Sequence, residues 1–328
     1  MFNLPIVVIQ FLVSIIMLGT LLLTLLSIMW LERKALAHFQ FRLGPMRTGF
    51  HGLLQPIADA MKMVAKEMTI PQGADTVLYK TAPFIVFIPA FMIMVTIPFT
   101  DKIWAANLDM GIFYVIAVLS ISTVGYMMAG WSSHNKYSLL GCMRSIGQFV
   151  SYEMPMGLSA LAVVMMAGSL NLDQIARAQA GNWNIFRWYI FRQPLAFVIF
   201  FLSVGAEICR VPFDLPEAES ELVAGFHVEY SGMRFALLLM AEYIGLFTLS
   251  SVCTVMFLGG WYGPVLPGIV WFFIKTLGLI FIFFWIRATL PRVRPDQLMS
   301  FGWKVLIPAS LVNIMLTALM ILVTTGIK

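Results

Sequence analysis

A succession of long apolar runs, near 6–31, 82–99, 112–131, 154–170, 194–209, 235–258, 268–287 and 304–324, sharply limits the folds open to this chain. About 20 apolar residues wound as a helix cross the hydrocarbon of a bilayer. A helix also satisfies its own backbone polar groups there, which an open strand cannot do. The pattern predicts an all-α integral membrane protein with eight transmembrane helices, a single membrane domain over 1–328. Composition agrees: 60% of residues are hydrophobic and 11% charged, against roughly 25% charged in a soluble domain. The first run starts almost at Met1 without a basic leader and is too long for a cleaved signal, so a retained signal anchor is expected.

Prolines near run ends (Pro5, Pro83, Pro98, Pro155, Pro194, Pro308) are expected to mark helix boundaries, and Gly259-Gly260 to Pro267 a tight outer turn. The segments 32–81, 132–153, 210–234 and 287–304 hold most of the Lys and Arg. The opposite side holds Lys102, Arg177, Arg187, Arg192 and Lys328. The positive-inside bias puts the first set on the cytoplasmic side (matrix or stroma in an organelle) and both termini on the other; the expected setting is a bacterial inner membrane with periplasmic termini. It also explains the net charge of +5 without a nucleic-acid partner. Trp183, Trp188 and Tyr189 fit an outer interfacial belt. Within 53–68, Leu53, Leu54, Ile57, Met61, Val64 and Met68 recur at helical spacing opposite Gln55, Asp59, Lys62, Lys66 and Glu67. This predicts an amphipathic surface helix in the first cytoplasmic loop, lying on the membrane or under a partner, with Pro56 in its first turn.

Several chemistries lack their residues. Cys142, Cys209 and Cys253 are far apart, with no CxxC pair to suggest a zinc or iron–sulfur site. No phosphate-binding glycine loop is present. His38, His51, His134 and His227 all fall outside the apolar runs, in expected loops, so haem held within the bilayer has no support. Neither a catalytic group nor a metal site is expected, and any redox cofactor would belong to another subunit.

What remains is acid. Glu207, Asp214, Glu217, Glu219, Glu221, Glu229 and Glu242 crowd one stretch of a chain with only 16 acids. Glu242 lies inside the run 235–258, where an acid costs roughly 2.5–3.5 kcal/mol on insertion scales. Glu207 ends the fifth run and Glu153 opens the fourth. Such acids either pair with Arg or Lys at helix ends or pass protons, and the set Glu153, Glu207, Glu229 and Glu242 favours a polar path. Glu217 and Glu221 share a face if helical, after Pro216, and read as a solvated first turn suited to the helix dipole. Glu32-Arg33-Lys34 and Arg42 read either as a positive-inside anchor or as the lining of a polar head-group site. Lys275 either snorkels to the outer surface or pairs with an acid.

The chain resembles the membrane subunit of respiratory complex I called subunit 1 in mitochondria and the H subunit in bacteria. The resemblance spans nearly the whole chain. It rests on Glu32-Arg-Lys34, Arg42-Leu-Gly-Pro45, Leu53-Leu-Gln-Pro-Ile-Ala-Asp-Ala60, Lys66-Glu67, Gly130-Trp-Ser-Ser-His-Asn-Lys-Tyr137 and Ser151-Tyr-Glu153. It continues through Pro212-Phe-Asp-Leu-Pro-Glu-Ala-Glu-Ser-Glu-Leu222, Glu229-Tyr230, Ala241-Glu-Tyr243, Arg287-Ala288, Pro291-Arg292 and Asp296-Gln-Leu298. The resemblance implies a heel subunit of proton-translocating NADH:quinone oxidoreductase, forming much of the quinone-access chamber. The partners it implies are peripheral iron–sulfur and quinone-site subunits, neighbouring membrane subunits and lipid; quinone is the substrate. It implies that Glu32, Arg33, Arg42, Asp59, Phe213 and Asp214 line the chamber. Glu217, Glu219 and Glu221 would form an acidic loop facing it, and Glu153, Glu207, Glu229 and Glu242 a proton relay. One departure is that Ser120–Gly125 carries no acid where some relatives have a glutamate. The alternatives are the equivalent subunit of a membrane-bound hydrogenase, or a stand-alone proton- or ion-coupled transporter.

Overall fold

The computed structural model describes residues 6–101, 103–181, 185–216 and 222–325. The helices are α1 (Ile6–Phe39), α2 (Gln55–Ala65), α3 (Thr76–Met94), α4 (Gly111–Ser132), α5 (Lys136–Ala167) and α6 (Leu172–Ala178). They continue with α7 (Tyr189–Arg192), α8 (Pro194–Glu207), α9 (Gly232–Phe257), α10 (Gly268–Thr289), α11 (Pro295–Phe301) and α12 (Ile307–Thr325). Among the described residues no strand forms; the only bridge joins Thr100 and Ile103. Among the described residues, six helical segments are long and apolar enough to cross a membrane: α3, α4, α5, α9, α10 and the continuous stretch Pro295–Thr324. The apolar α8 is shorter.

Helix α9 is the hub. It is apolar around its whole circumference, and such a helix must be buried or lipid-embedded. From Ala241 to Phe257 nearly every side chain is buried, including the polar Thr248, Ser250, Ser251 and Thr254. The hydroxyls of Ser251 and Thr254 donate to carbonyls four residues back, so they need no water. Helices α3, α10, α1 and α8 surround α9, while α5 ties α4, α8 and α12 together. The outer faces of α3, α4, α10 and α12 expose Phe84, Phe113, Phe281, Trp285, Leu311 and Met315. That much unburied hydrocarbon suits lipid or a partner subunit.

Several boundaries differ from the sequence expectation. Helix α5 begins at Lys136, well before the apolar run, capped by the Asn135 side chain accepting from Tyr137 N. At 32 residues it is roughly 48 Å long, longer than a bilayer core of about 30 Å. Its first turns, with Lys136, Arg144 and Gln148, are too polar to register as a span. Glu153 is therefore mid-helix and does not open one, and 132–153 is mostly helix where the apolar pattern predicts a loop. Pro83 and Pro89 lie inside α3, and Pro155 inside α5. Membrane helices tolerate such prolines because neighbouring groups satisfy the freed carbonyls. Pro308 follows a π turn at Gly302–Leu306, the local rearrangement that lets the helix continue past it. His38 lies in the last turn of α1, a helix that outruns its apolar run. Helix α2 forms with Pro56 in its first turn and leaves Ile57, Met61 and Val64 exposed. Gly259 and Gly260, at φ +71° and +54°, make the outer turn that follows α9.

Candidate functional site

The described acids fall into two groups. The first is built on Glu32, near the end of α1 and 2% exposed. It accepts from Arg210, just past α8, at 3.0 Å and from Arg287 in the last turn of α10 at closer range. Arg210 also stacks over the Tyr243 ring, 4.6 Å from its centroid. A buried carboxylate between two guanidiniums is neutralised with one positive charge to spare. The neighbouring Arg33 faces another way and pairs with Asp59 of α2 at 2.5 Å. Asp59 also accepts from Gln55, which receives a bond from Thr48. Arg42 donates to Gln40 on the exposed loop after α1. Asp214 pairs with Arg292 at 2.9 Å. Phe213 is buried, and its carbonyl accepts from the Gln148 amide at 2.9 Å. The same Nε2 donates to Ala206 O at 2.5 Å. One side chain of α5 thus fastens the carbonyl before Glu207 and the carbonyl before Asp214.

The second group runs through the helices. Ser120 of α4 donates to Glu153 of α5. Glu153 is close enough to Glu207 for their charges to interact. Among the described residues, Glu207 Oε2 is shielded from solvent with no hydrogen-bond donor. Glu207 and Glu242 line one small cavity of about 40 Å³, between Val86, Pro89 and Ile93 of α3, Ser122 and Tyr126 of α4, and Gly245 of α9. About 10–15 Å³ holds a water, so this space takes a few. Glu242 is 8% exposed and meets His227 Nε2 at 3.3 Å. Glu229 accepts from Asn135 Nδ2 at 2.7 Å, and Tyr79 donates to the Glu229 carbonyl at 2.6 Å. Tyr230 stacks on Tyr79, centroids 4.3 Å apart, and burial pushes its phenol above its ordinary pKa.

A larger crevice of about 920 Å³ opens between α1, the 46–53 loop and α10. Trp30, Leu31, Ala35, Phe50, Leu53, Ile274, Leu277, Ile280, Phe281 and Phe284 make its walls apolar, while Lys34, His38 and His51 add polar groups. Its size and lining suit a large, mostly apolar ligand.

A sequence model of the family described as NADH dehydrogenase matches residues 12–318. The chain is 53% identical to the H subunit of NADH-quinone oxidoreductase from Geobacillus thermodenitrificans over 293 residues, 88% of this chain and 86% of that protein. Over 314 residues it is 48% identical to the H subunit from Dehalococcoides mccartyi, 96% of this chain and 87% of that one. The H subunit from Bacillus mycoides is 51% identical over 294 residues, 88% of this chain and 86% of that protein. The chain belongs to the H-subunit family of NADH-quinone oxidoreductase. With its six membrane-length apolar helices, this family member is an integral membrane protein.

In this oxidoreductase subunit, Glu217, Glu219 and Glu221 of the expected acidic loop lie outside the described residues, as does Trp183. Glu153 stands near Glu207, and Glu207 and Glu242 line one cavity. Glu32 pairs with Arg210 and Arg287, Arg33 with Asp59, Asp214 with Arg292, and Arg42 bonds Gln40; none of them lines the large crevice, whose α1 side carries Lys34 and His38. Lys275 reaches back to the outer turn and, among the described residues, pairs with no acid. It is 8% exposed and donates to the carbonyls of Leu258, Gly260 and Tyr262 at 2.6–3.0 Å, under the Trp188 ring at 4.1 Å. Tyr189 is buried, with its N–H bonded to Gln179, so it is no surface-belt residue. Sequence reasoning missed Arg210, Arg287 and Arg292 as partners of acids and Gln148 altogether, and it placed His227 in a loop without linking it to Glu242. The nearest signal was position: Arg210 follows Glu207 closely, and His227 precedes Glu229 by two residues.

Proposed function

We propose that this chain is the heel membrane subunit of a proton-translocating NADH:quinone oxidoreductase, forming much of the quinone-access chamber and linking quinone reduction to proton movement. In this reading 1–328 is one membrane unit of eight spans, with α1 and α8 completing the set and both termini periplasmic in a bacterial inner membrane. Helix α2 lies at the cytoplasmic surface, beneath peripheral iron–sulfur and quinone-site subunits that hold the redox cofactors. Neighbouring membrane subunits and lipid cover the apolar outer faces. Quinone enters the apolar crevice between α1 and α10. Glu32, Arg33, Arg42, Asp59, Phe213 and Asp214 shape the polar inner end of its path, and Glu217, Glu219 and Glu221 face it.

The observation that carries the coupling half of this reading is the small cavity shared by Glu207 and Glu242. Two carboxylates on separate helices, joined by room for water, can exchange a proton without either leaving the protein. A change of charge at the chamber reaches Glu242 through a short route: Glu32 binds Arg210, which stacks on Tyr243, the next residue after Glu242. Loss of an anion near Arg210 favours ionisation of Glu242, and gain of one favours its protonation. Glu229, Glu242, Glu207 and Glu153 then form the relay leading away from the chamber.

The test is the assembled complex in membranes carrying Glu229→Gln or Glu242→Gln. Each removes a titratable proton while keeping shape. The expected result is a fall of about tenfold or more in quinone-linked turnover and pumping. Electron flow from NADH to a soluble artificial acceptor, which does not need this chain, stays normal. Wild-type turnover and pumping in both variants would sink the relay.

A further inference from the structure

Resting on the relay just described, we propose that His227 is itself a member of the proton path, handing protons to and from Glu242. The imidazole belongs to a single turn of 3₁₀-helix, Gly225–His227, between the acidic loop and α9. It is 5% exposed, and its Nε2 stands 3.3 Å from Glu242 Oε1. The ring is held against its neighbours: Phe226 lies 4.0 Å away centroid to centroid, and Phe235 meets it edge-on at 5.4 Å. The turn is clamped onto α5 because position 141 is glycine. A Cβ built there falls 2.8 Å from Gly225 Cα and 3.1 Å from Phe226 N. The imidazole is therefore fixed in place rather than free to swing away from the acid.

Position gives this ring a use. Glu229, two residues further on, is bound to Asn135 at the start of α5. Glu242 opens instead onto the cavity it shares with Glu207. His227 precedes Glu229 by two residues in the chain and meets Glu242 across the packed helices. Imidazole is the side chain whose ordinary pKa is nearest neutrality, and its two nitrogens can receive a proton at one and release it at the other. The step balances simply. An imidazolium at His227 faces a Glu242 carboxylate; the Nε2–H bond breaks as the Oε1–H bond forms, leaving neutral imidazole and neutral acid. The reverse step reloads the ring. The contact of 3.3 Å is at the edge of hydrogen-bond range, as proton-transfer pairs often are before the working complex tightens.

The experiment uses the whole complex in membranes with His227→Asn and His227→Gln, beside Glu242→Gln. Both histidine substitutions keep a hydrogen-bonding amide and lose basicity. The expected result is a fall of about tenfold or more in NADH:quinone turnover. The solvent deuterium isotope effect on that turnover should rise, because proton transfer becomes limiting, while flow to an artificial acceptor is unchanged. A merely structural role would lower the amount of complex and leave the isotope effect per assembled complex at its wild-type size; that outcome overturns the proposal. Wild-type turnover in both histidine variants, with Glu242→Gln blocked, removes His227 and leaves the relay standing. Wild-type behaviour in all three removes the relay reading as well. If neither histidine variant assembles, Glu242→Asp decides. It keeps the acid but draws it back from Nε2 by one methylene: a slowed turnover with a raised isotope effect supports the hand-off, and unaltered turnover overturns it.

Discussion

Glu32 and Arg33 are neighbours in sequence, yet their charges have opposite fates. Glu32 is buried and answers two arginines; the Arg33–Asp59 pair is 42% and 31% exposed. Breaking a buried pair strands a charge and costs about 3–5 kcal/mol, whereas a solvated pair is worth about 0–1 kcal/mol. Glu32→Gln is therefore expected to lower the amount of assembled complex and its thermal denaturation midpoint clearly. Arg33→Ala should move stability little, so any activity it loses reports on the chamber. Denaturation of the detergent-solubilised complex, followed alongside activity, separates the two. The motif Glu-Arg-Lys is visible in the sequence. The division of labour is not, because it depends on Arg210 and Arg287, which are distant in the chain.

Among the helices, the telling contacts are those that hold two segments at fixed separation. Gln148 of α5 bonds the carbonyls of Ala206 and Phe213, and so sets the end of α8 against the loop carrying Asp214. Replacing it by leucine removes a side-chain donor from two carbonyls that each keep one backbone donor, Cys209 N and Leu215 N, at a net cost of about 0.5–1.5 kcal/mol per lost bond. Gln148→Leu is expected to loosen 207–214, seen as faster hydrogen exchange there in the intact complex, and to reduce quinone turnover. Gly141 makes a second such contact. Gly141→Ala drives a methyl into the backbone of Gly225 and Phe226, and is expected to lower both assembly and turnover. Gly157→Ala, whose new methyl meets only Ile116 Cδ1 at 3.8 Å, should be tolerated. Apolar periodicity reveals helices well enough. It does not reveal which glycine receives another backbone, since that depends on partners from distant parts of the chain.

For the whole molecule, the arrangement separates two kinds of space. The crevice between α1 and α10 is large and apolar, while the cavity between α3, α4, α8 and α9 is small and acid-lined. On the proposed reading a long-tailed quinone uses the first and protons the second. Leu277→Trp puts an indole into the crevice without touching an ion pair. It is expected to raise the apparent KM for a hydrophobic quinone about tenfold, within the roughly 1–3 kcal/mol that a pocket contact is worth. Flow to a soluble acceptor should stay intact, and an unchanged KM would count against the crevice as the entry. The helical membrane class, most of the helices and the identity of the acids are legible along the chain, because hydrophobic periods and isolated charges are local properties. Packing settles the rest: which acids are neutralised by arginine, which share a cavity, that α5 continues far past its apolar run, and that His227 faces Glu242. Each of these depends on side chains meeting across helices, where burial turns a charge that water would screen into one that must find a partner.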